Sequence, residues 1–147
     1  MHAIVNEHLK RPLRDLAIAA TEVTNGTQRL LCLPNIAGNR CVLLEHSIYD
    51  TMRRMADDYD GGLWKFYNLS NGGFYMAPKT DKSFDLSCEN MFEHEVSADT
   101  AGIIACAMAY SHLSFLADGD CFANAYQLLS NYIFQHRDAR IIRAALD

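Results

Sequence analysis

The chain has 147 residues, half of them hydrophobic, and a formal net charge of −5 from 18 acidic and 13 basic side chains. This length suits one domain, which we expect to span residues 1–147, and the composition excludes general disorder. The charge argues against non-specific nucleic-acid binding, because it offers no overall positive field to hold a nucleic-acid backbone, and against DNA mimicry, because the acidic excess is too small to imitate a duplex.

The N-terminal third predicts two helices and one strand. Ile4 to Ala20 favours a helix interrupted at Pro12, whose ring lacks a hydrogen-bond donor. "TNGT" at 24–27 is a turn signal, and "RLLCLP", Arg29 to Pro34, indicates a short buried strand. From Cys41 to Ala56 apolar residues recur at intervals of two to four, which predicts an amphipathic helix.

Neither targeting nor disulfide signals are present. The opening "MHAIVNEHLKRPLRD" lacks the apolar stretch of a signal peptide, and no apolar run approaches the roughly 18 residues of a membrane span. We therefore expect a cytoplasmic protein without membrane contact. Five cysteines without a C-x-x-C pair indicate reduced thiols and no zinc site.

The segment "YDGGLWKFYNLSNGGFYMAP", Tyr59 to Pro78, is dense in aromatic residues and has two Gly-Gly pairs. Asn-Gly is a strong hairpin signal, so we predict two antiparallel strands joined by a two-residue turn at Asn71 and Gly72. Both strand faces carry aromatic side chains, which suggests one core face and one exposed face. The facing pairs would be Leu69 with Phe74, Tyr67 with Met76, and Phe66 with Ala77.

The C-terminal half continues the sheet and then becomes helical. "KSFDLSC" and "MFEHEV" alternate with period two around a turn at 89–90, which predicts a three- or four-stranded antiparallel meander. Ser97 is a predicted N-cap, with Asp99 placed to interact with the dipole of a long apolar helix. A helix from Cys121 to Gln135 and a short last helix follow the break at 118–120. The fold class is α+β, with a small antiparallel sheet packed with several helices.

Metal and phosphate sites are not indicated. With Gly61 as position 6 of a calcium loop, Ala56 falls at position 1 and Tyr67 at position 12, where liganding side chains are required. The Gly-Gly pairs lack the spacing of phosphate-binding loops and suit turns. We expect neither a metal nor another cofactor.

Catalytic and basic motifs are equally weak. His94 lies between two glutamates, but neighbours on a strand point to opposite faces. Cys106 and Ser111 lack a recognisable nucleophile setting. Arg137, Arg140 and Arg143 form a basic stripe typical of a solvated helix face, with Arg53 and Arg54 as a second small cluster.

The residues themselves carry a family resemblance. "YDGGLWKFYNLSNGGFYMAP", followed by "SADTAGIIACAMAYSHLSF", closely resembles the antirestriction protein family of the ArdB and KlcA type, found on plasmids, other mobile elements and bacterial chromosomes. The resemblance runs from "RLLCLP" through "FQHRDARIIRAALD", and residues 1–25 carry little of it. It implies relief of type I restriction of incoming DNA, a compact α+β fold distinct from the DNA mimics, and no cofactor or enzymatic reaction.

On this basis we hypothesise that the hairpin and the preceding turn contact the type I restriction complex or a host factor that controls it. Large aromatic side chains concentrate binding energy at interfaces, and glycines shape the turns that present them. No stable DNA binding is expected, and the oligomeric state stays open. The candidate contact residues are Asp58, Asp60, Gly61, Gly62, Trp64, Tyr67, Asn71, Gly72, Gly73 and Tyr75.

Two alternatives remain open at this stage. A direct DNA binder would use Arg137, Arg140 and Arg143, and its affinity would fall steeply with added salt. An unrecognised enzyme would need a pocket that joins His94 to a carboxylate or to Cys106.

Overall fold

The computed structural model describes residues 17–147. Most of the helix predicted from Ile4 to Ala20, including its interruption at Pro12, lies outside the described residues. The part that is described is not helical, because Ala20 opens a strand. In chain order the elements are β1 (Ala20–Glu22), α1 (Gly26–Ala37), α2 (Cys41–Met55), β2 (Trp64–Leu69), β3 (Phe74–Pro78), β4 (Phe84–Ser87), β5 (Glu93–Val96), α3 (Ala98–Ser114), α4 (Asp120–Ile133) and α5 (Ala139–Leu146).

Helix α1 replaces the strand predicted at Arg29–Pro34, so that prediction was wrong. Asn25, part of the supposed turn, caps this helix, and its side chain accepts a hydrogen bond from the Gln28 backbone N–H at 3.0 Å. A short apolar run such as this one fits both a buried strand and one side of a helix. Here the N-cap at Asn25 favours the helix. The prediction of α2 is confirmed, and this helix ends at Met55.

The strands form two sheets and not the single meander that was predicted. Strands β1, β2 and β3 make an antiparallel sheet in that order, whereas β4 and β5 pair only with each other. The α+β class with small antiparallel sheets is confirmed.

The predicted register of the β2–β3 hairpin is wrong by one residue. Tyr67 lies opposite Tyr75, and not opposite Met76. The Leu69 N–H donates to the Gly73 carbonyl at 2.9 Å, so three residues, 70–72, and not two form the turn between this bonded pair. Gly72 has a φ of 92°, the left-handed region that favours glycine. The slip places Tyr75 beside Tyr67 on the same face of the sheet.

Helix α3 is the centre of the core, as the sequence predicted. The Ser97 side chain caps it by accepting a hydrogen bond from the Thr100 N–H at 3.2 Å. Its residues are buried on nearly all sides, with α2, α4, α5 and β3 packed around it. No helix among residues 17–147 is long and apolar enough to cross a membrane.

The free edge of β3 packs directly against α3. The Met76 N–H and carbonyl both contact the Cys106 thiol, at 3.4 and 3.5 Å, and the Tyr110 hydroxyl donates to the Phe74 carbonyl at 2.9 Å. Gly102 makes this approach possible, because a Cβ there would lie 2.4 Å from the Met76 carbonyl oxygen. Side chains of α3 thus satisfy the backbone groups that an edge strand leaves unpaired.

We predict that Gly102→Ala lowers the free energy of unfolding by about 1–3 kcal/mol, because the added methyl group must displace the β3 backbone. Helix propensity alone predicts that the free energy of unfolding rises, because alanine favours a helix more than glycine does. Urea unfolding followed by circular dichroism measures the change. Gly26→Ala is the matched control: nothing lies within 4 Å of its added Cβ, so it should be neutral or slightly stabilising, and an unchanged stability in Gly102→Ala would contradict the packing described.

Candidate functional site

The turn that precedes β2 is the exposed end of the hairpin. Asp60, Gly61, Gly62 and Leu63 all face solvent, and Leu63 is 75% exposed. Gly61 and Gly62 have φ values of 92° and 103°, which other residues adopt only with strain. The two glycines therefore produce a backbone shape that presents a large apolar side chain to solvent. We call residues 60–63 the 60–63 turn.

Trp64 anchors this turn from inside the core. It is 4% exposed, its ring lies edge-on to Tyr49 at 5.2 Å between centroids, and its indole N–H donates to the Tyr59 hydroxyl at 3.0 Å. The structure therefore places Trp64, a predicted partner contact, in the interior, where Tyr49 of α2 packs against its ring. It stabilises the shape of the turn instead.

Asp58, two residues before the 60–63 turn, connects this part of the chain to β4 by hydrogen bonds. Its backbone carbonyl accepts from the Lys82 ammonium at 3.0 Å, and its Oδ2 accepts from the Asp85 N–H at 3.4 Å. Its Oδ1 is buried and has no hydrogen-bond partner within residues 17–147. The described residues contain no group of three or more side chains that could hold a metal ion.

The opposite end of the hairpin is docked onto α4. The Asn71 side chain accepts from the Gly73 N–H at 2.9 Å and donates to the Leu128 carbonyl at 2.9 Å. Gly73 is buried and Gly72 is exposed. Because β2 has six residues and spans about 20 Å, the tip and the 60–63 turn do not form one continuous surface.

Three tyrosines stack between the sheet and α4. The rings of Tyr67 and Tyr75 are 4.8 Å apart at 15°, and those of Tyr75 and Tyr132 are 5.9 Å apart at 21°. Tyr67 is half-buried, but Tyr75 is only 2% exposed. The structure thus places Tyr75, a predicted partner contact, in the interior, because α4 covers the face of the sheet on which it lies.

Asp99 collects hydrogen bonds from this stack and from the α4–α5 connection. The Tyr75 hydroxyl donates to Asp99 Oδ1 at 2.6 Å, and His136 Nε2 lies 3.1 Å from Asp99 Oδ2. The Asp138 N–H donates to His136 Nδ1 at 3.0 Å, so Nε2 carries the proton that bonds to Asp99. Both imidazole nitrogens are engaged, which leaves no free lone pair for base catalysis.

The charges of this network are set by its burial and its hydrogen bonds. Burial, and then the hydrogen bond to Asp99, raise the pKa of Tyr75 far above its ordinary value, so the hydroxyl stays protonated as a donor. Burial alone would raise the pKa of Asp99, but the hydrogen bonds from His136 and Tyr75 outweigh it and lower that pKa. The carboxylate therefore stays ionised as an acceptor.

Sequence reasoning missed this network. Asp99 was assigned only to the helix dipole, and His136 was not singled out. The two residues are 37 positions apart, and Thr100, whose hydroxyl donates to Asp138 at 2.7 Å, is 38 positions from its partner. No spacing signal exists at such separations; only the tertiary fold brings these residues together.

The candidate nucleophile and base of the enzyme alternative do not meet. Cys106 is fully buried against β3, and burial raises the pKa of its thiol to about 12. His94 is exposed, and its ring lies beside Phe92 at 6.1 Å. The pocket that the enzyme alternative requires between them is not formed.

The predicted basic residues lie on the surface. Arg137 and Arg140 are exposed, and the Arg143 guanidinium sits 4.9 Å above the Phe134 ring. Arg54 is 3.8 Å from Asp50, both largely exposed, in a contact of little energetic weight. This arrangement agrees with a solvated face.

Known proteins resemble this chain along most of its length. A family model described as "Antirestriction protein" matches residues 57–147. The antirestriction protein KlcA of Escherichia coli is 37% identical over 138 residues, 88% of this chain and 94% of that protein. The uncharacterized protein YafX of Escherichia coli K12 is 38% identical over 109 residues, 72% of each chain.

The fold also matches a solved structure. That structure comes from work on the KlcA and ArdB proteins, which reports a novel fold and antirestriction activity against type I DNA restriction systems in vivo but not in vitro. The match has a TM-score of 0.81 at 34% identity and covers 88% of this chain and 95% of the other.

We predict that Tyr75→Phe lowers the free energy of unfolding by about 1.5–3 kcal/mol, the range for a hydrogen bond to a charged group. Tyr67→Phe is the matched control, because the Tyr67 hydroxyl takes part in none of the side-chain bonds described above. Chemical denaturation of both variants tests the assignment. Equal effects would show that the Asp99 bond contributes nothing.

The stability provided by Asp99 should depend on pH. Its pKa is lowered by folding from an ordinary value of 3.8, so its contribution is complete above that value and is lost as the pH falls through the lower folded value. The stability difference between wild type and Asp99→Asn should therefore narrow in strong acid. Urea unfolding at neutral pH and near pH 3 measures it; a constant difference would contradict the assignment.

Proposed function

The chain belongs to the antirestriction protein family of the ArdB and KlcA type, and from this premise we propose that it relieves type I restriction of incoming plasmid or mobile-element DNA through a protein contact made by the 60–63 turn. It acts in the cytoplasm. Its target is the restriction complex or a host factor that controls that complex.

The exposed Leu63 is the observation that carries this proposal. A leucine that is 75% exposed, on a turn shaped by two glycines, is the type of apolar anchor that fills a pocket on a partner protein. Asp60 provides a polar rim beside it. The Leu63 carbonyl accepts from the Lys79 N–H at 2.8 Å, and Trp64 holds the next position, so the turn is organised before it binds.

The remaining candidate residues support this contact in two ways. Trp64, Asp58 and Tyr75 act from the interior by fixing the hairpin. Asn71, Gly72 and Gly73 shape and dock the opposite end, about 20 Å away. The contact surface that we propose is thus smaller than the full aromatic segment.

The net charge of the chain and the surroundings of His136 and Cys106 favour a function in protein binding over catalysis or DNA mimicry. The net charge of −5 is modest for an imitation of DNA. The imidazole of His136 has both nitrogens engaged, and Cys106 is sealed from solvent, which supports a structural role for each.

A host factor is the target that we favour. The related structural work reports activity in vivo but not in vitro, and this difference is expected when a cellular component is missing from the purified reaction. If the same holds for this chain, the 60–63 turn binds that component.

We predict that Leu63→Ser abolishes most of the protection of unmodified DNA in cells carrying a type I system, with no loss of thermal stability because the side chain is already in water. Transformation efficiency of an unmodified plasmid measures protection. Phe115→Ser removes another apolar side chain, 87% exposed, and is the matched control that should retain protection. Full protection in Leu63→Ser would eliminate the turn as the contact.

Trp64→Ala and Tyr75→Ala are unsuitable for this purpose, because removing either buried ring disturbs the core. A pull-down from the same cells with wild type, Leu63→Ser and Phe115→Ser distinguishes the targets. Recovery of restriction subunits identifies the complex itself. Recovery of a different protein, lost only in Leu63→Ser, identifies a host factor.

A further inference from the structure

Strand β5 has an edge that no described strand pairs with. It lies beside β4 in a two-stranded antiparallel sheet, and the Cys88 N–H donates to the Phe92 carbonyl at 2.9 Å next to the turn. Bonded and non-bonded pairs alternate along such a ladder, so Glu93 and Glu95 both lie in non-bonded pairs. Their N–H and carbonyl groups therefore point away from β4, and no backbone group among residues 17–147 pairs with them.

The side chains along this edge differ between the two faces of the sheet. Glu93 and Glu95 are exposed on one face, where Asp85 of β4 lies directly opposite Glu95. Within residues 17–147, none of these three carboxylates makes a salt bridge. Phe92 and His94 lie on the other face, with their rings stacked at 6.1 Å. A strand added here would meet carboxylates on one face and aromatic rings on the other.

The acidic side chains match a basic strand better than a second copy of this chain. Charged residues on an edge keep two copies apart, which accounts for Glu93 and Glu95. It does not account for Asp85, because like charges directly opposite each other destabilise the hairpin that carries them. A basic side chain placed beside this pair would remove the repulsion, whereas the β5 strand of a second copy would add two more glutamates.

The tip of the β4–β5 hairpin holds this edge in place and exposes an apolar side chain. The Asn90 side chain donates to the Ala144 carbonyl at 3.0 Å, which fixes the tip to α5. Met91 has a φ of 72°, where any residue with a Cβ is strained, and its side chain is 89% exposed. Glycine would avoid this strain, and strained residues concentrate at functional positions. Met91 thus offers an apolar contact at the start of β5.

We propose that the free edge of β5 binds an extended segment of a partner protein in which basic side chains alternate with apolar ones. The basic side chains lie beside Glu93 and Glu95, and the apolar ones lie beside Phe92 and His94. The two backbones pair as neighbouring strands do, which is recognition by strand addition. This edge does not include the 60–63 turn, so the inference does not depend on the proposed function.

A model peptide tests the charge pattern. A capped peptide that alternates lysine and valine is titrated into the full-length protein by calorimetry. We expect Glu93→Gln/Glu95→Gln to raise the dissociation constant about tenfold, because two cross-strand charge pairs are lost. Glu45→Gln/Asp50→Asn removes the same number of charges from α2 and is the matched control, which should bind the peptide as wild type does. Equal weakening in both double variants, or no binding to wild type, would overturn the proposal.

Amide hydrogen exchange tests the backbone pairing. With the same peptide at saturation, NMR should show exchange of the Glu93 and Glu95 N–H groups slowed about tenfold or more. The Asp85 N–H faces Asp58 on the far side of β4 and should exchange as before. A contact by charge alone would leave the two glutamate amides unprotected and would overturn the proposal. Slow exchange of both amides without peptide would also overturn it, because this chain or a second copy would then already cover the edge.

Discussion

The close packing of α3 against the free edge of β3 is the contact on which the rest of the structure depends. Gly102 allows the two backbones to approach, and any side chain at that position would collide with the Met76 carbonyl. Cys106 and Tyr110 then supply the hydrogen-bonding groups that β3 lacks on that side. The Cys106 thiol and the Tyr110 hydroxyl thus take the place of a neighbouring strand, and the β3 edge of the small sheet is covered by α3.

This contact helps to bury the aromatic side chains of residues 59–78. With α3 along its edge, α2 over Trp64 and α4 over Tyr75, every residue of β3 is buried, and the hairpin forms core on both faces. Solvent reaches its two ends and part of β2, where Asn68 is exposed and Lys65 and Tyr67 are half-buried. A segment with the composition of an interface is therefore mainly structural, and the contact surface is reduced to a turn beside it.

Polar groups complete the assembly where helices and hairpins meet. Asp99 joins β3 to the α4–α5 connection through Tyr75 and His136. Asn71 and Asn90 act alike at the two hairpin tips: Asn71 donates to the Leu128 carbonyl of α4, and Asn90 donates to the Ala144 carbonyl of α5 at 3.0 Å. Such bonds are satisfied in only one arrangement of the elements, and they favour a single packing over alternatives of similar apolar area.

The sequence by itself determined the features that depend on neighbouring residues. The Ser97 cap, the apolar α3, the α2 stripe, the existence of the hairpin and the α+β class all follow from local signals, and the family is recognisable from the hairpin and α3 segments. Tertiary structure decided the rest. Whether Arg29–Pro34 is strand or helix, whether Tyr67 faces Tyr75 or Met76, and whether Trp64 is exposed all depend on what packs against them from distant parts of the chain. The aromatic residues on both hairpin faces could not reveal this, because burial is a property of the space between elements and not of the residue pattern along one of them.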